Sequence, residues 1–206
     1  MHSAPRRTAK PAILPAYRAP LVPHVPACGI GIASRMTSRP KVKTKSRAPY
    51  VLREARPGDL GWVVNRHGVL YAEEQGYDMR FEALVSRIVG EFFERNDTRH
   101  ERCWIAERNG KNIGCVFVFR KSPQVAKLRM LLVEPSARGI GLGARLIAEC
   151  IEFARSAGYR KITLWTHNSL TAARRLYKKA GFRLVKSVPN PSFGRDLVDE
   201  FWDLKL

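Results

Sequence analysis

Apolar residues recur at two spacings along this chain, and the switches between them mark its elements. Over residues 79–96, MRFEALVSRIVGEFFERN sets Phe81, Leu84, Val85, Ile88 and Phe92 three and four apart, on one face of a helix. A second stripe runs through Leu142, Leu146, Ile147, Cys150, Ile151 and Ala154 and stops at Gly158. RPGDLGWVVNRHGVLYAEEQG predicts a helix entered at Pro57–Asp59 and closed around Gly76. NSLTAARRLYKKAG predicts a shorter one, with Asn168 or Ser169 as N-cap and Gly181 beyond its end. The remaining apolar stretches read as strands. YVLREA comes first, and RCWIAER alternates and meets IGCVFVFR through NGKN, a hairpin turn. VAKLRMLLV, KITLWT, FRLVKS and LVDEFWDLKL complete the set. The order β-α-α-β-β-β-α-β-α-β-β predicts an α/β (α+β) fold, a mixed central sheet with helices on both sides, in one domain over residues 50–206.

Residues 1–49 fit no such period. They are rich in Pro, Arg, Ser and Ala and are expected to be a disordered basic tail, unable to bury enough surface to offset chain entropy. Met36 opens MTSRPKVKTKSR and offers a second candidate start. Charge sharpens this division. Of 37 Lys and Arg residues, eleven fall within the first 53 positions, where there is no acidic residue at all. The rest of the chain carries 26 basic residues against 18 acidic, a modest excess that suits an anionic small ligand. The tail admits nucleic acid as a partner, although runs of this kind are usually only solvated.

No apolar run is long enough to cross a bilayer, and AILPAY is too short and proline-broken for a secretory signal. Cys28, Cys103, Cys115 and Cys150 form no CxxC pair, and three of them sit in apolar-periodic segments as reduced core cysteines would. The cytoplasm is the expected compartment, with no metal and no membrane partner, and a homodimer is left open.

The stretch VEPSARGIGLGARLI, residues 133–147, carries the clearest chemistry. Its glycines run G-x-G-x-G after the fourth strand, so the dinucleotide fingerprint G-x-G-x-x-G fails. No Lys followed by a hydroxyl residue comes after Gly143, so the Walker A loop fails too. A glycine-rich turn without a ligand leaves three glycines and an arginine within six residues unexplained.

Read as R-x-x-G-x-G from Arg138 through Gly141 to Gly143, the segment resembles the cofactor motif of the GNAT acetyltransferases. NSLTAARRLYKKAGF, some thirty residues on, is similar to the family's second signature, a helix bearing a tyrosine and closing in Ala-Gly-Phe. LREARPGDLGWVVNRHG, RCWIAER and LLVEPSARG look closest to the acetyltransferase half of proteins fused to a MarR-type regulator, a half that the first fifty residues do not supply.

The resemblance implies an acetyl-CoA-dependent N-acetyltransferase acting directly on a primary amine, of a small molecule or a protein. The amides of Gly139, Ile140, Gly141, Leu142 and Gly143, with Arg138, are expected to hold the pyrophosphate at a helix N-terminus. The backbone of Leu131, Leu132 and Val133 is expected to bond the pantetheine arm as another strand would. Tyr177 is implied as the donor to the leaving thiolate, core packing being its alternative, and Asn168 as a cofactor contact or a plain cap. No acid stands on the fourth strand, which offers Lys127 and Arg129 before Glu134. The acceptor is expected against an acidic, aromatic wall drawn from Glu73, Glu74, Tyr77, Asp78 and Glu134, a setting for a cationic amine. His67 and His167 are further candidates for the base, with surface or capping roles as their alternatives. A non-catalytic acyl-CoA sensor or nucleic-acid-binding module on the same fold is the competing function.

Overall fold

The computed structural model describes residues 49–95 and 97–206; the expected basic tail, Met36 and Cys28 lie outside the described residues. Seven strands form one sheet in the order β1-β2-β3-β4-β5-β7-β6, made of β1 (Val51–Arg53), β2 (Arg102–Arg108), β3 (Lys111–Ser122), β4 (Val125–Val133), β5 (Lys161–His167), β6 (Arg183–Ser192) and β7 (Arg195–Lys205). All neighbours are antiparallel except β4 and β5. Four helices cover the sheet: α1 (Asp59–Gln75), α2 (Met79–Arg95), α3 (Leu142–Ser156) and α4 (Thr171–Lys179), and a 3-10 turn at Pro135–Ala137 precedes the glycine loop.

Two apolar cores explain why β3 reads as an unbroken apolar run. Its odd residues Cys115, Phe117 and Phe119 pack beneath α1 and α2 with Val63, Phe81, Val85 and Ile88. Its even residues Val116 and Val118 face Leu142, Leu146, Ile147 and Cys150 of α3. A strand buried on both sides has no polar face to show. Each aliphatic side chain so buried contributes roughly 1.5–3 kcal/mol. Cys103, Cys115 and Cys150 are buried free thiols, as expected, and burial pushes each above the ordinary thiol range.

Polar contacts fix the entry of the domain. Arg53 on β1 bonds Asp59 at 2.6 Å and Glu107 at 2.6 Å, and Asn112 donates to Asp59 at 2.8 Å, tying the start of α1 to two strands. Asn109 and Gly110, with φ of 53° and 71°, form the two-residue turn that joins β2 to β3. The N-cap of α4 is Leu170, with no side-chain cap, so neither Asn168 nor Ser169 has that role. Asn168 instead bonds β7, its Oδ1 accepting from the Val198 amide at 3.2 Å.

Candidate active site

The site begins with a fault in β4. Val116 of β3 lies between the pairs Cys115–Leu132 and Phe117–Arg129, so two residues of β4, Met130 and Leu131, oppose it. Met130 takes a positive φ of 54°, and the strand bends there. β4 and β5 are laddered only from Val125–Leu128 to Lys161–Leu164; beyond Leu128 they part. Parallel neighbours that diverge leave an unpaired backbone edge, here along Leu131–Val133, facing a cavity of about 590 Å³. A smaller cavity of about 70 Å³ continues through the gap, and the two share Tyr71, Leu131, Leu170 and Ala173 as walls.

The glycine loop closes the large cavity. Arg138 N–H bonds Pro135 and Arg145 N–H is the next to find a backbone carbonyl, that of Gly141. The amides from Gly139 to Ala144 have no backbone acceptor among the described residues, as the first turn of a helix dictates. Gly141, the residue before α3, has φ of 82°, a left-handed conformation that costs other residues roughly 1–2 kcal/mol. Gly143 serves a different need: a Cβ there would stand 2.8 Å from Leu176 Cδ1, so its absence leaves the Leu176 side chain where it packs. Gly139, Gly141, Leu142 and Gly143 line the cavity, while the Ile140 side chain is exposed and does not. Arg138 lies at the mouth, where its Nη2 donates to Glu74 at 2.7 Å. Arg175 and Lys179, one turn apart on α4, also line it and went unnoticed in the sequence.

The acidic wall expected for a cationic amine does not form. Glu74 is paired with Arg138 and lines the large cavity. Glu134 accepts two bonds from Arg66, at 2.6 and 3.0 Å, and lines neither cavity. Asp78 is engaged with Arg80. Tyr77 is buried in an aromatic cluster with Phe81, Phe193 and His167, and its hydroxyl is 2.7 Å from His167 Nδ1. It braces the site from behind rather than lining it. Asn168 lines neither cavity.

Around the small cavity stand Tyr177, His67 and His167, all singled out in the sequence, and they are joined there by Tyr71 and Trp165. Tyr177 is 5% exposed on α4 and lines the cavity beside Tyr71. Burial, with Tyr71 and Cys150 adding to it, pushes its phenol far above the ordinary range, so it stays protonated. His67 and His167 are buried rather than superficial. His67 Nδ1 donates to the Val63 carbonyl at 2.8 Å, which leaves the lone pair on Nε2, buried and without a partner. Burial pulls its pKa down to about 4 against the Val63 hydrogen bond, so the ring is neutral. His167 is likewise lowered by burial, with Asp199, 3.3 Å from Nε2, acting the other way. Lys127, Arg129 and Trp165 complete the wall.

An apolar cleft that ends in free amides and basic side chains, beside a gap between parallel strands, suits a long ligand with phosphates at one end. That geometry defines enzymes that take an acyl group from coenzyme A. The chain matches the model of the acetyltransferase (GNAT) family over residues 70–182, more than half its length, and belongs to that family. An N-acetyltransferase of Schizosaccharomyces pombe is 29% identical over 117 residues, 56% of this chain and 72% of that protein. The mycothiol acetyltransferase of Sanguibacter keddieii is 32% identical over 145 residues, 66% of this chain but 44% of that one. An acetyltransferase of Salmonella typhimurium, solved with its cofactor acetyl-CoA, has the same fold, with a TM-score of 0.63 at 20% identity over 76% of this chain and 94% of that one. The chain is an acetyl-CoA-dependent N-acetyltransferase. Among the described residues no helix is long and apolar enough to cross a membrane.

Proposed function

We propose that the chain moves the acetyl group of acetyl-CoA directly onto a primary amine that enters through the small cavity. The observation that carries this reading is the junction of the two cavities, where Tyr71 belongs to both walls and Tyr177 stands beside it. The residues fit the co-substrate. The free amides of 139–144 offer donors to a pyrophosphate, and Arg138, Arg175 and Lys179 set three cations against the single carboxylate of Glu74. The apolar wall of Leu70, Leu131 and Leu176 and the unpaired edge of β4 suit the pantetheine arm. Acetyl-CoA supplies an activated thioester.

The protein groups then have defined tasks. His67 lines the small cavity, and its Nε2, which keeps a lone pair without a partner, accepts a hydrogen bond from the amine and orients it. The Tyr177 hydroxyl, kept protonated by burial, donates to the departing sulfur. All these residues come from one chain, so the site is complete in a monomer and in a homodimer alike. The cytoplasm is the proposed location, supported by three buried free thiols.

Thermal shift tests the cofactor assignment. Acetyl-CoA is expected to stabilise the protein by mass action. Gly141→Asp, which puts a charge where the pyrophosphate is to lie, is expected to abolish the shift, and equal shifts in both proteins would overturn the assignment. The same titration on residues 50–206 tests the proposed boundary. An unchanged shift supports a separate basic tail, to which any salt-sensitive nucleic-acid binding would then belong.

A further inference from the structure

The reactive end of the site carries positive charge that no carboxylate among the described residues pairs with. Lys127 and Arg129 sit two apart on β4, so both project to the same side, and both line the small cavity. Neither makes an ion pair or a side-chain hydrogen bond among the described residues. The nearest acids are committed or remote. Asp203 is bonded to Lys161, Asp199 to Asn190, and Glu91 acts on Arg129 only at a distance. Arg129 is propped over the Phe119 ring, 5.7 Å from its centroid. The fourteen residues of the wall include these two cations and no carboxylate. A third donor is also without a partner: Trp165 lines the cavity, and its buried Nε1–H has no acceptor among the described residues.

Buried donors without acceptors are costly, and half-buried like charges more so, unless the missing partner arrives with a ligand. Burial, with Arg129 and Lys121 adding to it, pulls Lys127 down to about 8, the response of a cation that lacks a counter-charge.

We propose that the acceptor is a small primary amine that carries a carboxylate, held by Lys127, Arg129 and the Trp165 N–H while its amino group meets the thioester. The inference rests on the acetyl-transfer reading above and adds the charge of the substrate to it. In the transfer the amine nitrogen forms the new C–N bond, the C–S bond breaks, and the proton lost by the amine is balanced by the one gained by the thiol. The carboxylate is unchanged and serves only as a handle. The space, about 70 Å³, matches the amino end of an amino acid and its nearest carbons.

The test compares amines matched in shape. Glycine, β-alanine, L-alanine and L-glutamate are offered with acetyl-CoA beside their carboxamides and their decarboxylated amines, and release of free thiol is followed. The carboxylates are expected to be preferred in kcat/KM by about 10- to 100-fold, as charge-assisted hydrogen bonds allow. Lys127→Met and Arg129→Gln are expected to shrink that ratio toward one while keeping the acetyl-CoA thermal shift, which shows that they fold. Carboxamides used as well as or better than carboxylates would overturn the proposal, as would an unchanged ratio in both variants. If no amine of the panel is turned over, calorimetry of the same carboxylates with the full chain, with and without CoA, decides. Binding that is weakened in the variants supports the handle, and its absence in the wild type refutes it. Loss of the acetyl-CoA shift in the wild type would instead sink the acetyl-transfer reading.

Discussion

Tyr177 has no hydrogen-bond partner among the described residues and a hydroxyl that burial keeps protonated, two conditions that suit a proton donor awaiting a sulfur. Tyr177→Phe removes the hydroxyl and preserves the ring. Turnover is expected to fall by about 10²–10⁴-fold with little change in acetyl-CoA affinity. An ordinary phenol would lose its proton near pH 10 and bend the wild-type profile downward there. The raised Tyr177 moves that loss to higher pH. With both substrates saturating, turnover is therefore expected to rise as the acceptor amine loses its proton, with no fall near pH 10 that the Tyr177→Phe variant lacks. A wild-type decline near pH 10, absent from the variant, would contradict the burial argument. At this scale the sequence was readable where a residue's role is local. Gly141, left-handed just before α3, takes its conformation from the turn it stands in. The ion pairs of Glu74 and Glu134 are hidden because their partners lie 64 and 68 residues away in the chain, and no local pattern announces them. Lys127 and Arg129 looked like an absence of acid when they were the cavity's own charge.

Elements were readable wherever one periodicity ruled a whole stretch. The strands at Arg102–Arg108 and Val125–Val133 have the bounds that their apolar patterns predict. β6 runs longer, to Ser192, because its ladder with β7 continues past two prolines that a central strand would not tolerate and an edge strand does. The bulge at Met130 has no sequence signature, yet it opens the site. The contact between α3 and α4 at Gly143 is the other hidden feature. Gly143→Val sets a branched side chain against Leu176, which must turn aside, and is expected to destabilise the fold by about 1–3 kcal/mol. Gly143→Ala should cost less, since better helix propensity returns up to about 1 kcal/mol. Urea unfolding measures both, and an unchanged midpoint for the valine variant would show that the two helices are free to separate.

Across the whole molecule, the seven-stranded sheet is held at its centre by the shortest of its long ladders. Four residue pairs, Val125–Leu128 with Lys161–Leu164, join β1–β4 to β5–β7. Among the described residues no other backbone ladder joins the halves, so that line is a seam in the sheet, and what lies along it in the bound state is in effect a splint. A pantetheine arm bonded to the open edge of β4 would continue the ladder where β5 withdraws. Amide hydrogen exchange reads this directly. Acetyl-CoA is expected to slow exchange along Leu131–Val133 and in the seam itself. A phosphoadenosine fragment that fills only the anion cradle should protect the loop at 139–144 and leave the seam as it was. Equal protection by both would mean that the halves are already locked. If the fragment fails where the whole molecule succeeds, the co-substrate completes the sheet that it is bound to, and the rigidity of the enzyme is then set by what it is about to consume.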